Sequence, residues 1–240
     1  MSNPWAKDRA TQFYLGLGLF GLLIVALGFG VTYALPMMRR TFSAPWYVHL
    51  HGAFALGWVL LFIAQAVFVR RSRSPLHRRL GQAGLPLAIL VYLTGMATAV
   101  WAARRDVPSV GSVATSGLAG TFTGLGLFVV VAVAAVSMRR RPDWHKRLVV
   151  LATIQLLWPA FFRLRHLLPM VPRPEFTLAL GLAYSPILIA AYRDYRLYGR
   201  VHPVWAIVAP ILFVEQCLEV VWFDQGLQRS LGEWLFARFT

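Results

Sequence analysis

Residues Gln12–Leu35 read QFYLGLGLFGLLIVALGFGVTYAL, a continuous apolar run without a single Lys, Arg, Asp or Glu. It exceeds the ~20 residues a helix needs to cross the hydrocarbon core of a bilayer. Six more such runs follow: Trp46–Val69, Ala83–Ala103, Gly117–Met138, Leu148–Phe162, Phe176–Tyr192 and Val204–Phe223. Mid-bilayer offers no water to satisfy free peptide groups, so each run is expected to be helical. The fold class is therefore all-α: an integral membrane bundle of about seven transmembrane helices. No linker along the 240 residues is long enough to separate two domains.

Composition agrees. The chain is 58% hydrophobic and 14% charged, with mean hydropathy +0.59, where soluble domains carry roughly 25% charged residues. A net charge of +15 would suit nucleic acid. Here, however, the basic residues sit between apolar runs, the pattern of loops that face anionic lipid headgroups, and no nucleic-acid partner is expected. Cys217 is the only cysteine and lies inside an apolar run, which excludes a disulfide framework and a cysteine metal site. The first run lacks a small-residue cleavage site after it and reads as an anchor. Pro159 predicts a kink or tilt in the fifth helix, and Pro86, Pro186 and Pro210 mark further bends.

Fifteen Lys and Arg fall in the segments sharing a side with the amino terminus, Lys7 and Arg9 included, against nine on the other side. That excess predicts a cytoplasmic amino terminus and an external carboxyl terminus, as in a multi-pass protein of the bacterial inner membrane. Beyond the seventh run, Leu227, Leu231, Trp234, Leu235 and Phe239 recur at helical spacing, with Arg229, Glu233 and Arg238 among them. They predict an amphipathic helix over 227–239 in the outer interface. Trp46, Trp101, Trp144, Trp222 and Trp234 fall at predicted helix ends, where aromatic belts lie. Gly16, Gly18, Gly21, Gly28 and Gly30 offer the first helix small positions for close packing. Walker, HExxH and Gly-rich loop motifs are absent from the sequence.

Three basic segments on the predicted inner side each carry a histidine before a helix: SPLHRRLG with His77, PDWHKRLV with His145 and GRVHPVWA with His202. The pattern suggests three hairpins of similar design. Together with YVHLHGAFALGWVLLFIAQ and DWHKRLVVLATIQLL, these segments resemble a bacterial family of multi-helix membrane proteins. That family's pattern is HLHG, then a helix with Trp and Gln, then HRRLG, then HKRL opening a later helix. The resemblance covers Phe13 to Thr240, including the closing EWLFAR. It implies the multi-helix architecture, draws attention to the histidines and carries no catalytic residue across.

Ionisable groups at helix centres in membranes cost about 2.5–3.5 kcal/mol each, so they need partners. Glu215 and Glu219 are four residues apart on one face of the seventh helix. On the second helix His51 shares a stripe with Ala55, Trp58, Phe62 and Gln65, the expected interior face, whereas His49 points away from it. On the fifth, Gln155 and His166 fall close to one face, with Arg163 about 80° away. His51, Arg163, His166, Glu215 and Glu219 thus form the expected polar site in the outer half.

Three chemistries and one structural arrangement suit this set. His51, His166 and Glu219 would hold a transition metal such as zinc, copper or iron. Two histidines from different helices would ligate a b-type haem. A desolvated carboxylate with a histidine relay would handle protons or a quinone. Alternatively, Arg163 pairs with Glu219 and His51 bonds across the bundle, a purely structural arrangement. His77, His145 and His202 share a depth that would allow an inner three-histidine site. Set among Arg and Lys they otherwise read as interfacial residues, as do the runs RRSR and RRR. The leading functional expectation is a histidine/carboxylate site, redox or metal related. An accessory or assembly subunit bound to other membrane subunits is the rival, and a small transporter is third.

Overall fold

A computed structural model describes the backbone from Pro4 to Thr240 and the side chains from Thr11 onward. Lys7 and Arg9, which entered the charge count, lie outside the described side chains. Among the described residues there is no strand. Seven helices are long and apolar enough to cross a membrane: α1 (Thr11–Met38), α2 (Trp46–Arg70), α3 (Ser74–Val110), α4 (Ser112–Ser137), α5 (Pro142–His166), α6 (Pro174–Tyr198) and α7 (Val204–Val221). An eighth, α8 (Gly226–Phe239), follows.

Helix α5 is the hub. It touches α1, α2, α4, α6 and α7, and 67% of its most apolar stretch is buried against 17–44% for the other six. Around it α1 packs on α2, α2 on α3, α3 on α4, and α4 on α7. On α2 the expected inward stripe holds: Trp58 and Phe62 are buried, while Gly52, Ala53, Leu56 and Leu60 are exposed. Trp58 donates its indole N–H to Thr153 of α5 at 3.1 Å. Leu19, Leu23 and Leu27 of α1 are exposed in an i, i+4 stripe, the face left for hydrocarbon.

Several boundaries differ from the apolar runs. Helix α3 begins with a short amphipathic turn, Ser74–Gly81, and passes the expected end at Ala103 to reach Val110. Arg104, Arg105 and Asp106 stop the apolar run but not the helix, and Arg105 and Asp106 neutralise each other at 2.7 Å. Gly111, at φ +59°, then turns the chain straight into α4, which starts at Ser112 rather than Gly117. The left-handed backbone there suits glycine.

Prolines act through helix widening. Three π-helical turns, Gly30–Ala34, Thr177–Leu182 and Val204–Val208, contain Thr32, Leu182 and Ala206, the residues four before Pro36, Pro186 and Pro210. A proline lacks the N–H its i−4 carbonyl needs and crowds that carbonyl; the wider turn accommodates both. Pro159 does not interrupt α5, which is α-helical from Pro142 to Arg163. Pro86 lies in the first turn of the segment Gly84–Val110, where its missing N–H has no intrahelical partner to lose.

Close packing of α1 on α5 depends on Gly28, where a side chain would collide with the Ala160 carbonyl, and on Gly21, which faces Leu157. Gly18 faces Phe62 and Ile63 of α2. Gly16 and Gly30 meet nothing among the described residues, contrary to expectation. Helix α8 lies across α3 and α4: Leu235 packs with Ala103 and Leu118, and Gly232 rides on the Thr115 carbonyl. Leu227, Trp234 and Phe239 face outward.

Candidate functional site

The expected five-residue site divides into separate places. Glu215 and Glu219 turn toward α4, not toward Arg163. A side chain at Gly120 would run into the Glu219 carboxylate, which accepts a hydrogen bond from Gln216 Nε2 at 2.8 Å. Glu215, one turn below, lies beside Thr123 of α4 and Gln155 of α5. Tyr184 of α6 closes the group by donating to the Leu212 carbonyl at 3.0 Å, with Gln155 Oε1 3.4 Å away. Among the described residues, no group meets Glu215 Oε2 or Gln155 Nε2, both buried, at full hydrogen-bond geometry. No ion pair reaches either glutamate among the described residues.

Four helices contribute because each brings a polar side chain to one level. Thr123 and Gln155 are each eleven residues from the near ends of their spans, roughly 16 Å deep at 1.5 Å per residue. That is near the middle of a ~30 Å core, at the inner limit of the outer half expected for Glu215, with Glu219 a turn nearer the surface. The end of α7 does not mark the surface: the chain leaves Val221 through a turn into α8, which covers the flank of α3 and α4.

The basic members of the expected site lie elsewhere. Arg163 donates to the Pro159 carbonyl at 3.0 Å and sits over the Phe29 ring at 4.4 Å; the Arg163–Glu219 pair is not formed. His51 faces α3, its Nδ1 3.2 Å from the Val91 carbonyl and 3.4 Å from Thr94 Oγ1. His166 is exposed at the end of α5, so Gln155 and His166 do not share a site. His51, His166 and Glu219 therefore do not meet, and among the described residues no three His, Cys, Asp or Glu side chains converge as metal ligands would. His49, expected to point away from the His51 stripe, contacts Tyr33 within the α1 π turn.

On the arginine-rich face His77 and His145 meet edge to face with ring centres 6.4 Å apart, and His145 Nδ1 is 2.8 Å from the Ala135 carbonyl. His202 packs instead on Trp144, at 5.1 Å, so the three histidines gather at the end of α5 without sharing one centre. Burial pushes the His202 imidazole below its ordinary pKa. The runs RRSR and RRR are exposed as expected.

Sequence reasoning missed the ion pair at this end of the bundle. Arg147, counted among the surface basic residues, is 2% exposed and donates through Nε to Asp194 Oδ2 at 2.6 Å; Trp205 donates to the same oxygen at 2.7 Å. The pair ties α5, α6 and α7 together. Its only signal in sequence is Asp194, a lone acid within the basic stretch YRDYR. At the opposite face Asp224 pairs with Arg229 at 2.9 Å and accepts from Ser112 at 3.2 Å and Ser116 at 2.9 Å. Its bond to Arg229 holds the Asp224 carboxyl below the usual carboxylate range.

No protein-family model, curated protein or solved structure matches this chain, so the reading of the site rests on its own geometry.

Proposed function

We propose that this chain is a multi-pass protein of the bacterial inner membrane that takes up and releases protons at Glu215 and Glu219, the chemistry of a small proton-coupled transporter. One observation carries the reading. Two carboxyl groups a single turn apart lie inside the bundle among amides and hydroxyls, Glu215 near mid-bilayer and Glu219 a turn nearer the surface, and among the described residues no cationic side chain is bonded to either. A charge at that depth is costly, and two neighbouring carboxylates resist ionising together. The pair is therefore held by a proton or a small cation, and releasing it is the useful event. The separation of the histidines from the carboxylates favours this reading over a joint metal or haem site.

Hydrophobic carbodiimides modify only protonated carboxyl groups, so they test the idea directly. The α7 peptide should gain the adduct, with labelling rising as buffer goes from mildly alkaline to mildly acidic. Glu215→Gln with Glu219→Gln should abolish it and slow the collapse of a pH gradient in proteoliposomes. Protection by sodium at constant pH would identify an exchanging cation. A parent protein that stays unlabelled throughout that range would overturn the proposal.

A further inference from the structure

The two faces of the membrane are not equivalent from the standpoint of the carboxylate pair. Toward the carboxy-terminal face, α4 presents Ser112, Ser116, Gly120 and Thr123, successive positions on one side of the helix. Asp224 caps this row at the surface, with its side chain 18% exposed and bonded to Ser116, which is itself fully buried. One turn deeper, Gly120 is where α4 touches Glu219. Gln216, Glu215, Thr123 and Gln155 continue inward from there. The step from Ser116 to the level of Gly120 is one helical turn, about 5.4 Å, a gap that a single bridging water spans.

Toward the arginine-rich face the lining changes character. Below Gln155 and Tyr184 lie Leu151, Phe128, Ile187 and Ala190, each 5% exposed or less. Under that layer, the Arg147–Asp194–Trp205 cluster locks the ends of α5, α6 and α7. An apolar layer without hydroxyl or carboxyl groups does not relay protons.

We infer that the carboxylate pair exchanges protons with the carboxy-terminal face alone in this conformation, along Asp224, Ser116 and Glu219. This inference rests on the proton reading of Glu215 and Glu219. In the inward step a hydronium ion at the surface gives a proton to the Asp224 carboxylate and leaves as water. Asp224 passes it to the Ser116 hydroxyl as Ser116 gives up its own to a water that the route requires in the turn between Ser116 and Glu219; that water in turn gives one of its protons to the Glu219 carboxylate, and nothing is oxidised or reduced. The charged groups around the mouth are Arg229, bonded to Asp224, and Glu233, near Arg229. The titratable neighbours of Glu219 are Glu215 and Tyr184, and Cys217 acts on Tyr184. Glycine at 120 is needed because any side chain there would displace the Glu219 carboxylate from the row.

The test separates the two faces. Full-length protein is reconstituted in sealed proteoliposomes, the orientation is selected with a protease-accessible tag after Thr240, and pH is clamped independently on each side. Carbodiimide labelling of Glu219 is expected to follow the buffer at the carboxy-terminal face and to ignore the other. After a pH jump on that side, Ser116→Val should slow the change in labelling by on the order of tenfold or more, while Ser116→Thr, which keeps the hydroxyl, should retain the parent rate. The comparison within the parent protein needs no variant to fold. Labelling that follows the arginine-rich side, or both sides equally, would overturn the route while leaving the carboxylate reading intact. Absence of labelling at any pH would sink both.

Discussion

Arg147 shows how a residue's charge can say one thing in sequence and another in the fold. In PDWHKRLV it is one cation among several at a helix start, yet its guanidinium is 2% exposed beside an equally buried Asp194. A cation and an acid taken out of water hold each other strongly only while both remain. Removing one strands the other, at a cost of roughly 3–5 kcal/mol. Arg147→Gln and Asp194→Asn should each lower thermal stability in detergent markedly, and the double variant should lose clearly less than their sum. Additive losses would mean that Trp205 and the Asp143 carbonyl, each bonded to one partner, carry the contact instead. The glutamates were legible for the same physical reason that the ion pair was not. An acid inside an apolar run is conspicuous because it is costly, whereas Arg147 and Asp194 stand near the ends of their runs, where charge is ordinary. Thr123 and Tyr184 were silent because hydroxyls are common in apolar helices, and only the packing of α4 and α6 onto α5 and α7 brings them to Glu215.

At the scale of elements, the apolar runs located every spanning helix but not its ends or its inner geometry. Hydropathy records where charge begins; a helix stops where its backbone reaches water or a turn, as α3 does at Gly111. Proline positions were readable, but their consequence was not, because a missing N–H can produce a kink or a widened turn depending on what packs around it. The π turn Val204–Val208 matters most, since α7 carries both glutamates beyond it. A widened turn adds about one residue to the helical count and so rotates everything after it by roughly 100° relative to an unbroken helix. Pro210→Ala restores an N–H that the Ala206 carbonyl can accept, favouring the regular helix. Glu215 and Glu219 should then rotate away from Thr123 and Gly120, and carbodiimide labelling should lose its parent pH dependence while the protein still inserts. Unchanged labelling would show that α4 and α5, rather than the π turn, set the orientation of α7.

The molecule as a whole is a ring of helices about α5, closed on one flank by α8. The number of spans was legible because seven long apolar runs have no other solvent to suit them, and α8 was legible from its alternating faces. The sequence did not show that the fifth run, the shortest and one of four with a proline, is the central one. Burial explains that in retrospect: a helix surrounded by others needs no extra apolar length to satisfy lipid, and it carries Arg147, Thr153 and Gln155 because neighbours on all sides can bond them. An odd number of spans puts the two ends of the chain on opposite faces, and the basic residues decide which is which. The exposed runs Arg70–Arg73 and Arg139–Arg141 lie on one face. Each face pairs two of its cations with acids, Lys146 with Asp143 and Arg147 with Asp194 on this one, Arg105 with Asp106 and Arg229 with Asp224 on the other, so pairing leaves the basic excess between the faces as the sequence has it, and that excess resists transfer across the bilayer. A reporter fused after Thr240 should read external, and one inserted within Arg70–Arg79 should read cytoplasmic. The opposite readings would mean that the charge bias does not govern this chain, and Asp224 would then open the carboxylate pair to the cytoplasm. A Thr240 reporter on the same side as the Arg70–Arg79 insertion would contradict the seven-span fold itself, because five spans separate those sites and an odd number cannot return the chain to the side it left.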